Sequence, residues 1–228
     1  MRTVMGVDGC KGGWVAIRHS EDGSLEVKVF GAVLEIRPLS DVVAIDIPIG
    51  LTEKGPRECD QLARSFIGPM ARSVFPAPVR AVLACTDFEC ANAVSNEKQG
   101  KGLSQQAFAL VPKIREVDHA VQTSDHFRER TFEVHPEVSY CAWNEGPLEH
   151  TKRTVEGKLQ RRALVESFFG RYAFTFAREF LPRTVADDDI LDAYAATWSA
   201  WRIAAGVAVS LPGLAPRDRL GIEMAIWF

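Results

Sequence analysis

Short apolar runs separated by turn residues open the chain. Thr3 to Val7 and Trp14 to Arg18 flank the turn Gly9-Cys10-Lys11-Gly12-Gly13, and Asp22-Gly23 precedes a third run, Leu25 to Phe30. Runs joined by glycine-bearing turns predict a three-stranded antiparallel meander. The fourth run, Asp41 to Pro48, is nearly continuous in apolar residues and broken by the single acid Asp46. That pattern suits a central strand covered on both faces. From Leu51 to about Arg130 strand character disappears. Helical patterning is visible near Arg57 to Phe66 and Ser104 to Val121, separated by the proline- and glycine-rich stretch Gly68 to Pro78 and the polar segment Ser95 to Gly102, read as a loop. Residues 52–130 are therefore expected to form a helical insertion between strands four and five, with Ser104 as an N-cap and Pro112 kinking or breaking the second helix. Thr131 to His135 reads as a short strand stopped by Pro136, Gly157 to Phe169 as a basic amphipathic helix, and Asp187 to Val209 as a long alanine-rich helix. Tyr194, Trp198 and Trp201 fall on one face of that last helix, as core residues do. The apolar end, Ile222 to Phe228, is expected to cover the sheet or an interface.

Composition narrows the class. With 228 residues and 46% hydrophobic content, the chain can bury one sizeable core, and residues 1–228 are read as one α/β domain. The 27 Lys and Arg against 30 Asp and Glu give a net charge of −3, which excludes a polycationic nucleic-acid clamp. A polyanion would have to be held locally or with the help of cations. No basic leader or long charge-free apolar run is visible, so a soluble, cytoplasmic chain with no membrane partner is expected. Cys10, Cys59, Cys85, Cys90 and Cys141 lack zinc spacing and are odd in number and too scattered for a disulfide framework, so buried apolar thiols are expected, Cys85 and Cys90 included.

The candidate chemistry lies in acids that punctuate apolar elements. Asp8 follows an apolar strand directly. Alone it would be read as an acceptor for the amides of the glycine turn. Asp46 ends a second buried strand, and if the two strands are parallel neighbours both carboxylates emerge at the carboxyl edge of the sheet, where open α/β sheets bind ligands. Two converging carboxylates repel unless a proton or cation intervenes. Asp187, Asp188 and Asp189 suit a helix N-terminus by capping and dipole alone. Asp192 lies beyond the capping turn and shares a helix face with Asp189. Together these acids offer oxygen-only ligation suited to Mg²⁺ or Mn²⁺, and to two-metal phosphoryl transfer. Glu133 and His135 alternate onto one face of the fifth strand, and His135 beside a metal would serve as general base or proton shuttle. A half-exposed histidine beside a proline explains it equally well. An acidic centre acting on a polyanion also needs flanking cations. The candidates are Lys11, Arg57, Arg64, Lys152 and Arg153, the last two grouped with Lys158, Arg161 and Arg162; such groups are more commonly solvated faces.

The motifs GVDGCKGGW (Gly6 to Trp14), AIDIPIGL (Ala44 to Leu51), EVHPE (Glu133 to Glu137) and DDILDAYAA (Asp188 to Ala196), in this order, resemble the predicted ribonuclease H-like nucleases grouped as domain of unknown function 429. The resemblance covers nearly the whole chain. It implies a mixed five-stranded sheet of order 3-2-1-4-5 flanked by helices, with Asp8 and Asp46 on adjacent parallel strands. The Asp189 and Asp192 pair is similar to the acids that Holliday-junction resolvases of this fold carry on their last helix. Carried over, Asp8, Asp46 and Asp192 would be the core metal ligands and Asp189 the fourth.

Three functions compete. The first is a Mg²⁺- or Mn²⁺-dependent nuclease acting on a structured or hybrid nucleic acid. The second is an ATPase or phosphotransferase like the sugar kinases and actin-like ATPases, which share the strand order and whose first phosphate loop Asp8-Gly9 and Gly12-Gly13 resemble. It needs a second lobe, a second phosphate loop and an adenosine motif, none of which is visible. The third is a non-catalytic binding protein in which the carboxylates are structural.

Overall fold

The computed structural model describes residues 1–36 and 40–228. Its centre is a five-stranded mixed sheet of order β3-β2-β1-β4-β5, formed by β1 (Thr3–Cys10), β2 (Gly13–Ser20), β3 (Leu25–Phe30), β4 (Val42–Ile45) and β5 (Thr131–Glu133). The meander β1-β2-β3 is antiparallel, and β4 and β5 run parallel to β1. The hairpin between β1 and β2 turns at Gly12 and Gly13, with φ of 102° and 140°. At Gly13 a side chain would also collide with the carbonyl of Phe30, so this turn requires glycine twice over.

Between β4 and β5 lie α1 (Glu58–Phe66), two short 3-10 turns, α2 (Phe88–Gln99), α3 (Gln105–Thr123) and α4 (Asp125–Arg130). α2 occupies most of what reads as a polar loop. It has little apolar periodicity, and its ends are set by the Asp87 side chain, which accepts from the Cys90 amide at 2.9 Å, and by Gly100 at φ 67°. Ser104 caps α3 as expected, accepting from the Ala107 amide at 3.1 Å. Pro112, however, does not end the helix. Val111, Ile114, Val117 and Val121 are buried on both sides of it, and this packing outweighs the single backbone hydrogen bond that proline removes. Cys85 and Cys90 form a disulfide rather than the two unlinked thiols expected; the turn before α2 brings their Cα atoms to 5.6 Å, within bridging range. Cys10, Cys59 and Cys141 are free and buried.

Beyond β5, Pro136 starts a helix instead of merely stopping a strand. α5 (Pro136–Trp143) has the proline in its first turn, where no backbone donor is needed. It is followed by α6 (Val155–Phe169), α7 (Ala173–Phe180) and α8 (Asp187–Ala204). α8 ends five residues earlier than the alanine pattern suggests, at a turn through Gly206, φ 71°. The C-terminal segment forms a small ribbon of β6 (Ser210–Leu211) and β7 (Ile226–Trp227). Trp227 bridges Val134, and Ile222, Met224, Ile226 and Phe228 are buried, so the apolar end closes the β5 edge of the sheet. Among the described residues no helix is long and apolar enough to cross a membrane.

The two faces of the sheet are covered by different helices. Met5 and Val7 of β1 and Val43 and Ile45 of β4 pack with Ile114 and Val117 of α3. On the other face Val4 and Ala44 pack with Ala196 and Ala200 of α8. α8 is buried all round from Ile190 to Ala200, which makes it the central helix of the fold. It lies directly on β1 because Gly6 has no side chain: a Cβ there would overlap the Thr197 amide and the Ala193 carbonyl. Thr197 Oγ1 in turn donates to the carbonyl of Ile17 at 3.2 Å.

Candidate functional site

Strand register decides which acids meet. β1 and β4 are parallel with Val7 opposite Ile45, and the Asp46 amide donates to the Val7 carbonyl at 3.0 Å, so Asp8 and Asp46 are neighbours at the carboxyl edge. Both alternate onto the α8 face, with Val4, Gly6 and Ala44. The close seating of α8 on Gly6 brings Asp192 to the same place. Asp189, one turn earlier, adds its charge to Asp8.

The electrostatics of the four acids reflect this convergence. Asp8 is 8% exposed, and its carboxyl is pushed well above the usual 3.8, first by burial and then by the charges of Asp46, Asp192 and Asp189. Asp8 Oδ1 accepts from the Gly9 amide at 2.7 Å, so the turn supplies one hydrogen bond and does not offset the repulsion. Asp46 is raised to about 6: burial is the main cause, the charge of His135 opposes it, and that of Asp192 adds to it. Asp192, 3% exposed, is raised by burial against the pull of Lys152. Its Oδ2 accepts from Lys152 Nζ at 2.6 Å, while Oδ1 is shielded from solvent and has no hydrogen-bond partner among the described residues. Asp189 is raised by burial, and its Oδ2 accepts from the Ala186 amide at 3.0 Å, so this acid also closes the first turn of α8.

The remaining sequence candidates are placed differently. Glu133 pairs in register with Ile45, which puts it on the face opposite Asp46. There it accepts from Arg57 Nη1 and Nη2, both at 2.7 Å, and from the Ile49 amide at 2.6 Å, so it is removed from the site by strand parity. Arg57 is 1% exposed and also bonds Asp60 at 2.5 Å. Burial opposes its charge, but Asp60 and Glu133 outweigh burial and raise its pKa. It anchors α1 to β5 and cannot reach a ligand, contrary to its assignment as a substrate contact. Arg64 is half-buried and donates to the Val74 carbonyl at 2.7 Å, which makes it a loop anchor as well. His135 escapes strand alternation because β5 has ended. Its Nε2 is 3.3 Å from the Ser73 carbonyl, its Nδ1 is shielded and unpartnered among the described residues, and its charge acts on Asp46 and Asp192. Lys11 and Arg153 are exposed. A recess of about 260 Å³ beside Thr131, Phe132, Arg217 and Trp227 is lined by none of the four aspartates.

Two features of the site carry no role in the sequence reading. Arg161 is not a solvated member of a basic face: it is 1% exposed and grips Glu137 through Nη2 at 2.8 and 2.6 Å. The signal was the four-residue spacing of Gly157, Arg161 and Val165, the buried stripe of α6. Glu137 in turn raises the pKa of Asp46 and of Asp192. The second is Lys113 of α3. Its Nζ donates to the Gly13 carbonyl at 2.5 Å and lies 4.2 Å from the Trp14 ring centroid, with its alkyl chain against Gly9. Nothing in its sequence spacing marks it.

The donor set, the buried Asp8 and Asp192 with the half-buried Asp46 and one orphaned oxygen, has the hard-oxygen chemistry that Mg²⁺ or Mn²⁺ takes. Among the described residues, however, no group of three or more His, Cys, Asp or Glu side chains is arranged to hold a metal ion. The ammonium of Lys152 stands against Asp192 instead.

Residues 6–217 match the family model described as a protein of unknown function, DUF429. No curated protein and no solved structure matches the chain. The match spans most of the sequence, and the chain belongs to this family.

Proposed function

We propose that this member of the DUF429 family is a divalent-metal-dependent nuclease with a ribonuclease H-like architecture. The observation that carries the reading is the convergence of Asp8, Asp46 and Asp192 at one sheet edge, each with a raised pKa and Asp192 with a buried, unpartnered Oδ1. Buried carboxylates that repel one another are rare unless something positive completes them. Asp8, Asp46 and Asp192 would hold Mg²⁺ or Mn²⁺, with Asp189 adding negative charge at the rim. Bound there, the ion supplies a lowered pKa for attacking water and neutralises the developing charge on a phosphodiester.

The protein's own groups do the rest. The three carboxylates, fixed by β1, β4 and α8, define where the reacting phosphate is presented. Rigid elements hold such geometry better than loops do. His135, tied through Nε2 to the Ser73 carbonyl and with its Nδ1 shielded from solvent, offsets the charges of Asp46 and Asp192 as a positioning residue. Lys11 on the hairpin turn and Arg153 in the α5–α6 loop are exposed and free to bind backbone phosphates. They supply the local positive charge that the net balance of −3 does not.

The test incubates wild type and Asp8→Asn with Mg²⁺ or Mn²⁺ and a panel of single strands, duplexes, RNA/DNA hybrids and four-way junctions, and separately with ATP. Cleavage should require the divalent ion and fall about 100-fold or more in Asp8→Asn, since even outer-shell partners of metal ligands contribute 10- to 100-fold. Cleavage that persists in Asp8→Asn, or ATP hydrolysis without nucleic-acid cleavage, overturns the assignment.

A further inference from the structure

Among the described residues, Lys152 is the one side chain that donates directly to the carboxylate cluster. It lies between α5 and α6, and its Nζ is 2.6 Å from Asp192 Oδ2. Its side chain is 39% exposed while that of Asp192 is 5% exposed, so the ammonium reaches inward from solvent on an open stem. Its charge acts on Asp8 and Asp46 as well as Asp192. The loop that carries it is pinned independently. Arg161 Nη1 donates to the His150 carbonyl at 3.1 Å, and Thr154 Oγ1 caps α6 through the Gly157 amide at 3.0 Å. The side chain can therefore leave Asp192 by rotating about its own bonds, without moving the loop.

We propose that Lys152 is the resident counter-charge of the carboxylate cluster, occupying the cation's place against Asp192 until a divalent ion displaces it. The inference rests on reading Asp8, Asp46 and Asp192 as a metal centre. One ammonium balances one of the three converging carboxylates, whereas a divalent ion balances two and also takes up the orphaned Asp192 Oδ1. Exchange then favours the ion and frees both oxygens of Asp192. The displaced ammonium, still tethered at the mouth of the site, is left facing the position where a phosphate would enter. Lys152 thereby acts in two places in turn: on Asp192 in the metal-free protein and on the anionic substrate in the loaded one.

Calorimetric titration of the full-length protein with Mn²⁺ tests this. Lys152→Met removes the competitor and should bind Mn²⁺ at least about tenfold more tightly than wild type, the size expected when an opposing charge a few ångströms away is removed in a partly buried site. Lys152→Arg, which keeps a cation on Asp192, should stay within about threefold of wild type, and Arg153→Met, which removes an exposed charge next door, within about twofold because solvent screens it. Thermal melts in chelator should show Lys152→Met folded but less stable than wild type, with the order reversed by Mn²⁺. Equal or weaker Mn²⁺ binding by Lys152→Met, or an equal gain in Arg153→Met, overturns the role of Lys152 and leaves the metal centre standing. Absence of Mn²⁺ binding in every variant overturns the metal centre, and this inference with it.

Discussion

Asp46→Asn should make the metal-free protein more stable at neutral pH. Asp46 is half-buried, and its carboxyl is raised from the usual 3.8 to about 6, mainly by burial. A folded-state pKa above the unfolded one means that the group's contribution to stability is full below about pH 4 and lost as the pH rises through about 6. At pH 7.5 the ionised Asp46 therefore works against the fold. At 1.36 kcal/mol per tenfold change in proton affinity, a rise of this size is worth up to about 3 kcal/mol; partial solvent access reduces it to about 1–2 kcal/mol. In a protein of this size each kcal/mol moves the midpoint by about 2–4 °C, so Asp46→Asn should melt about 2–8 °C higher than wild type at pH 7.5 in chelator. The gain should shrink steadily below pH 6 and vanish near pH 4, where wild-type Asp46 is itself neutral. Millimolar Mn²⁺ should reverse the order by stabilising only the protein with intact ligands. Calorimetric melts across this pH range provide the readout. An Asp46→Asn protein no more stable than wild type at pH 7.5 in chelator would refute the claim that burial and Asp192 outweigh His135 and Lys152 at this site.

Two further substitutions test how the fold builds the site. Gly6→Ala should force α8 away from β1, destabilise the protein by about 3 kcal/mol in urea titration and weaken Mn²⁺ binding, because Asp192 moves with the helix; wild-type stability in this variant would mean that the helix seat is loose. Arg57→Met should cost about 3–5 kcal/mol by leaving Glu133 and Asp60 buried without their partner. Loss of cleavage in Arg57→Met without loss of stability would instead return Arg57 to the substrate.

The order of elements was legible in the sequence because periodicity is a local property. The meander, the buried fourth strand and the acid-bearing last helix all declared themselves, and the sheet order followed from the family resemblance. Asp8, Asp46 and Asp192 stood out for the same reason: each interrupts a run of apolar residues. What failed depended on parity and partners. Glu133 and His135 alternate in sequence, but β5 ends at Glu133, so one faces Arg57 while the other stands at the N-terminus of α5. Arg57 and Arg161 read as surface cations because the acids that bury them, Glu133 and Glu137, lie 76 and 24 residues away. α2 was missed because its caps, rather than an apolar stripe, define it. Lys152 looked like a phosphate contact, and only the placement of Asp192 reveals its ion pair.

The claim that Asp8, Asp46 and Asp192 form a divalent-cation site is tested most directly by anomalous diffraction from crystals soaked in Mn²⁺. The account predicts a strong manganese peak among these three carboxylates in wild type, with Lys152 withdrawn from Asp192, and no such peak in Asp8→Asn. Wild-type crystals in which Lys152 remains on Asp192 and manganese is found only elsewhere, or not at all, would contradict it.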